Sequence, residues 1–196
     1  MKSFKTYILE DIWNVTDTSE KLLKKDPQEM TIEYGFATKG QEPVHTVGDY
    51  SIYHSRLPHL IADSGHFVLR HNPTGEVAGY VKYFKSGSSP KEIQIRNVVG
   101  SKGHTGVRSM LYDTIADKLG YTIVSDHMQT PKGKKGWLND IASGKNIHIR
   151  TINDKTGRIT SQRKIDPQNF SEKDVWSSGD FNIGDNVLLV RHPEGT

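Results

Sequence analysis

Hydrophobic spacing along the chain changes from helical to alternating and back. In SFKTYILEDIW, Phe4, Tyr7, Ile8 and Ile12 recur at helical spacing behind Ser3, a good N-cap. TSEKLLKK predicts a second short helix capped by Thr18 or Ser19. From Pro27 to Asp63 the periodicity fades, and this stretch is expected to cover a sheet and shape a cleft. HFVLRH then reads as a strand, Asn72-Pro73-Thr74-Gly75 as a turn, and EVAGYVKYF as the alternating second arm of a hairpin. After a break at Ser86 to Pro90, KEIQIRNVV is another strand.

Glycines and small polar residues follow in GSKGHTG, and the pattern turns helical again. Val107, Met110, Leu111, Thr114, Ile115 and Leu119 form one stripe, ending at Gly120 as the C′ residue. YTIVSD reads as a short strand buried on both faces, and KKGWLNDIAS as a short helix stopped by Gly144. The remainder is β-prone: NIHIRTI and RITSQRKI around a turn at Asn153 to Gly157, then NVLLVRH. The pattern predicts one α/β domain over residues 1–196, with a mixed, mostly antiparallel sheet flanked by helices. Residues 1–26 form its helical N-terminal segment, and 144–196 add extra C-terminal strands.

Composition narrows the chemistry. The 196 residues suffice for one core, and 34% hydrophobic with 25% charged residues is a globular balance. With no cysteine, disulfides, a thiolate nucleophile and cysteine-held zinc are excluded. His45, His54 and His59 show no metal-binding spacing, so no metal is expected. No apolar run approaches the roughly 18 residues a membrane helix needs. Glu10 and Asp11 interrupt the N-terminus before a secretory core develops, so a cytoplasmic protein without a membrane partner is expected.

The glycine-rich turn between a strand and a helix is the strongest chemical signal. Free N–H groups and the helix dipole make such a turn an anion site. The P-loop pattern fails because its sixth position from Gly100 is Thr105, and the Rossmann glycine spacing is absent. The unit is similar to the acyl-CoA pyrophosphate loop of the GNAT superfamily of N-acyltransferases, whose motif is [QR]xxGx[GA]. Gly106 takes the central glycine; Gly103 stands where Gln or Arg is common, and Arg108 where Gly or Ala is common. Leu111-Tyr112, Val124-Ser125-Asp126, Gln129 and Trp137-Leu138 extend the resemblance to phage-encoded GNAT-like proteins over roughly residues 66 to 143.

That resemblance implies a GNAT-like fold in which acetyl-CoA, or another acyl-CoA, lies where two strands splay apart. A backbone N–H of Val98 or Val99 would hold the thioester carbonyl. Lys102, Gly103, His104, Thr105, Gly106, Val107, Arg108 and Ser109 would surround the pyrophosphate, with Lys102 and Arg108 as cations. The acceptor would be an amine on a protein or small molecule, which must lose a proton to attack. Asp126 is the first candidate base and Glu92 the second. His127 is a candidate acid or base, and Tyr112 a candidate near the cofactor. The helix GWLNDIAS lacks the tyrosine that many family members use as an acid.

Charge offers a second reading. Between Pro131 and Ile165, Lys132, Lys134, Lys135, Lys145, Arg150, Lys155, Arg158, Arg163 and Lys164 face only Asp140 and Asp154. This segment could grip nucleic acid or a protein partner in a catalytically inactive GNAT-like or virion-associated protein, surround the CoA 3′-phosphate, or form an ordinary solvated face.

Overall fold

The computed structural model describes residues 24–57, 64–87, 89–126, 131–153, 156–171 and 185–195. The helix expected at residues 3–13, most of the one expected at 18–25, and His127 lie outside them. Lys24–Lys25, expected to end that second helix, instead form a short strand, β1. Helix α1 (Pro27–Tyr34) follows. It starts as such helices should: Asp26 Oδ1 accepts the Gln28 N–H at 2.9 Å and Pro27 sits in the first turn. Its pattern is hard to read because Ile32 and, just beyond it, Phe36 are exposed, although Met30 and Tyr34 are buried.

β2 (His45–Val47) and β3 (Tyr50–Leu57) form a hairpin that pairs on to β4 (Ser64–His71), β5 (Val77–Lys85) and β6 (Glu92–Ser101), all antiparallel. The predicted turn at Asn72 to Gly75 is present, with Gly75 at φ 73°. Helix α2 (Val107–Asp113) continues with π geometry through Thr114–Lys118 and returns the chain to β7 (Thr122–Val124), parallel to β6. Helix α3 (Pro131–Ala142) leads to β8 (Ile147–Asn153), β9 (Ile159–Lys164) and β10 (Asp185–Arg191).

The sheet order is β2-β3-β4-β5-β6-β7-β10-β8-β9, with β1 added to β6. The fold is therefore α+β with one large mixed sheet and few helices. Among the described residues, no helix is long and apolar enough to cross a membrane.

Two cores lie on opposite faces of the sheet. The larger joins Phe67, Val81, Ile93 and Ile95 to α2 and α3 through Leu111, Ile115 and Trp137. The smaller packs Met30 and Tyr34 of α1 on Val68, Tyr80 and Val99. A bulge makes this division possible. Lys82 pairs with Asn97 and Tyr83 with Ile95, which leaves Arg96 as an extra residue in β6. Ile93 and Ile95 face the larger core, whereas Val99 reaches the smaller one.

A buried cation ties the helices to the sheet. Arg191 of β10 is 1% exposed, and its Nη2 donates to Asp113 Oδ1 and Asp117 Oδ2, each at 2.6 Å. Lys145 adds ion pairs to the same two carboxylates at 3.3 and 3.5 Å. Burial works against ionisation of Asp113, but Arg191 and Lys145 outweigh it and hold its pKa below the ordinary value. Replacing Arg191 by Ala strands Asp117 among buried groups. The expected loss is about 3 kcal/mol of unfolding free energy at neutral pH, read by urea titration.

On the larger-core face, His54 Nε2 lies 2.6 Å from the Tyr83 hydroxyl and its ring stacks on Phe67. Burial, aided by the charge of Arg56, lowers the His54 pKa from 6.5 to about 4. Between those values the unfolded chain takes up a proton that the folded one refuses, so stability falls as pH drops through this window. After discounting for solvent screening, this residue contributes a loss of about 1 kcal/mol from pH 7 to pH 5. A flatter urea-midpoint profile for His54→Gln over that range checks it.

Candidate functional site

β6 has two edges, and they are used differently. β5 takes one along nearly its whole length. On the other, β7 pairs only at Glu92–Thr122, Ile93–Ile123 and Gln94–Val124. Immediately beyond, the Ser125 carbonyl accepts the Gln94 side-chain amide at 3.2 Å. Ser125 is meanwhile held to β10: its N–H donates to the Leu189 carbonyl at 2.8 Å, and its Oγ accepts the Leu189 N–H at 3.0 Å. One residue further, Arg96 Nη1 and Asp126 Oδ1 face each other at 3.6 Å, with the Arg96 guanidinium over the Phe84 ring.

The two strands thus part where β6 bulges. Among the described residues, no strand pairs with this edge from Ile95 to Val99. Val98 and Val99 lie on this stretch; Val98 is partly buried and Val99 is buried against Tyr80 and Met30.

The glycine loop leaves the far end of β6. Ser101 Oγ donates to the Ala78 carbonyl at 3.1 Å and fixes its start. His104 turns back toward the hairpins: its Nδ1 lies 3.0 Å from the Tyr50 hydroxyl, and Nε2 4.0 Å from Glu76 Oε2. Burial first, then the neighbouring His71, lowers the His104 pKa, while Glu76 opposes them.

With the His104 ring drawn aside, the loop is open. Lys102, Gly103, Thr105, Gly106 and Ser109 are exposed, and a Cβ added at Gly103 or Gly106 would meet nothing within 4 Å. Gly106 sits at φ 69° directly before α2, a conformation that favours glycine, and no side chain there caps the first amides of the helix. Val107 is buried beneath it, and Gly79 makes that seat possible because a Cβ there would overlap Val107 and the Val99 carbonyl.

Other candidates stand apart from the parted edge. Arg108 Nη2 pairs with Asp140 Oδ2 at 2.9 Å, and its guanidinium lies 4.2 Å from the Tyr112 ring centre and 5.5 Å from that of Trp137. Gly136 gives it room, since a Cβ there would stand 2.7 Å from Arg108 Nε. Tyr112 is buried in the same packing, and its phenol is pushed up to about 12 by burial, partly offset by Arg108. Glu92 lies at the opposite end of β6 from the loop, clamped by Arg150 through two 2.8 Å bonds.

Lys145 and Arg150 of the basic segment are therefore spent on internal ion pairs. Lys132, Lys135, Arg158, Arg163 and Lys164 are exposed, and Lys155 lies outside the described residues. Among those residues, no group of three or more His, Asp or Glu is placed to hold a metal.

The structure brings Asp126, the edge carrying Val98 and Val99, and the loop to one parted strand; it does not bring Glu92 or Tyr112 there. Sequence reasoning missed Gln94, Arg96 and Tyr50. The adjacent pair Val98-Val99, after the alternation of Ile93 and Ile95, was the available sign that the strand changes phase. Comparison of the chain with protein-family models, curated proteins and solved structures gives no match.

The contact between Tyr50 and His104 is the tie that keeps the loop side chain out of the opening. Tyr50→Phe removes the hydroxyl and is expected to speed amide hydrogen exchange several-fold over residues 101–106, while the peptides of β4 and β5 keep their protection.

Proposed function

We propose that the cleft between β6 and β7 binds an acyl-CoA and serves transfer of its acyl group to an amine. The observation that carries this reading is an open backbone edge at residues 95–99 on the strand that runs into an exposed glycine turn at the start of a helix, with only the two-residue bridge of β1 at Gly100 and Ser101 between them. An edge of main-chain N–H and C=O groups suits an amide-containing arm, and free amides beside Lys102 suit a diphosphate. Arg108 is assigned instead to the packing of α2 on α3, because Asp140 and two aromatic rings already engage it.

Acyl-CoA supplies an acyl group activated as a thioester. The Val98 or Val99 N–H orients its carbonyl by donating a hydrogen bond, and the donation strengthens as negative charge grows on that oxygen. Asp126 is the group that accepts the proton of the incoming amine, directly or through one water; as the C–N bond forms the C–S bond breaks, and CoA leaves as a thiolate that takes its proton from solvent. Arg96 Nη1 stands 3.6 Å from the Asp126 Oδ1. The Gln94 side chain occupies the Ser125 carbonyl, where main-chain pairing of β6 with β7 ends.

Calorimetry with acetyl-CoA tests the reading. Binding is expected at micromolar to submillimolar concentration, several-fold weaker in Lys102→Glu because a carboxylate then stands beside the diphosphate. Asp126→Asn is expected to keep that affinity while lowering acyl transfer to a primary amine by about 100-fold or more. Absence of heat at millimolar acetyl-CoA rejects the proposal.

A further inference from the structure

β1 lies where the proposed ligand would pass. Lys24 pairs with Gly100 and Lys25 with Ser101, parallel to β6. β5 already holds the other edge there, through Gly79 and Gly100. A strand has only two edges, so β1 must lie on the parted one, the edge that β7 leaves after Gln94. Along β6 the order is then β7 at residues 92–94, an open stretch at 95–99, and β1 at 100–101.

The chain does not stop there. Asp26 caps α1 immediately after β1, and α1 packs into the smaller core through Met30 and Tyr34. β1 is therefore held close to the edge by a helix anchored on the same sheet, while its own pairing covers only two residues. Such a short bridge is an easily broken contact held at high effective concentration.

We infer that β1 is an autoinhibitory strap that competes with the cofactor for the edge of β6. This rests on the acyl-CoA reading. A ligand with its carbonyl at Val98 or Val99 and its diphosphate at residues 105–107 must cross Gly100 and Ser101, the two residues β1 covers. Binding then requires β1 to leave, and the affinity measured is reduced by the fraction of molecules in which it has left. Anything that holds Lys24 and Lys25 on the edge silences the site, and anything that draws them away opens it.

The test is titration of the full chain with acetyl-CoA by calorimetry, comparing wild type with Lys24→Pro/Lys25→Pro. The double change removes both β1 N–H donors and leaves Asp26 and the core of α1 intact. Release of one or two main-chain hydrogen bonds is expected to tighten binding roughly tenfold. Hydrogen exchange on the unaltered protein gives a second readout that needs no variant. Added acetyl-CoA is expected to speed exchange at residues 24–26 while slowing it at 101–107.

Equal affinities together with unchanged exchange at 24–26 in a protein that binds acetyl-CoA overturn the strap and leave the transferase reading standing. No binding by either protein overturns both.

Discussion

One guanidinium decides where the second helix begins. Arg191 comes from the middle of the sheet and meets Asp113 and Asp117, one turn apart on α2. Its Nη1 lies 4.0 Å from Asp140 of α3, and Asp140 in turn holds Arg108 near the start of α2. The chain Arg191, Asp140, Arg108 thus joins β10, α3 and both ends of α2. Buried ion pairs add little net stability against a well-packed apolar substitute, but a half-broken one is costly. Their effect here is positional: together with the buried Val107, Leu111 and Ile115, the ion pairs add directed contacts that fix α2 on the sheet. The open glycine turn depends on that placement.

The parting of β6 and β7 has an equally local cause. A parallel pair would normally continue as far as both strands run, because unpaired main-chain groups are costly once removed from water. Here the Gln94 amide satisfies the Ser125 carbonyl, and β10 satisfies the rest of Ser125. β7 can therefore leave β6 with the main-chain groups of Ser125 satisfied, while the β6 edge beyond Gln94 stays open. At the outer limit of the same sheet, β9 meets the edge problem differently. All six of its residues are exposed, and Arg163 and Lys164 stand on it, so a second copy approaching edge to edge would meet like charge.

Much of the architecture was legible in residue spacing. Alternation marked β5, apolar or β-prone runs marked β4, β6 and the C-terminal strands, and Asn72 to Gly75 marked the turn between β4 and β5. The stripe from Val107 to Leu119 marked the helix after the glycine loop. The region from Pro27 to Leu57 was not legible. α1 shows Ile32 and Phe36 to solvent, which hides its period, although Asp26-Pro27 was a readable start.

At the candidate site, the glycine loop could be named from local turn chemistry, and Asp126 from its place at the end of a short buried strand together with the family resemblance. The engagement of Arg108, Glu92 and Tyr112 could not. Their partners Asp140 and Arg150 lie 32 and 58 residues along the chain, a pairing set by topology.

The bulge at Arg96 has one more consequence. Because side chains alternate across a strand, the extra residue reverses the faces seen by everything after it. Without it, Val99 would point with Ile93 and Ile95 toward α2, and the packing of Tyr34 and Tyr80 would lose its neighbour. The length of β6 is therefore constrained by parity as well as by span. Shortening or lengthening it by one residue between Ile95 and Val98 would exchange the two cores' claims on the strand, whereas a change of two would shift positions and keep the faces. Insertions and deletions across this strand should accordingly be tolerated in even numbers before odd ones.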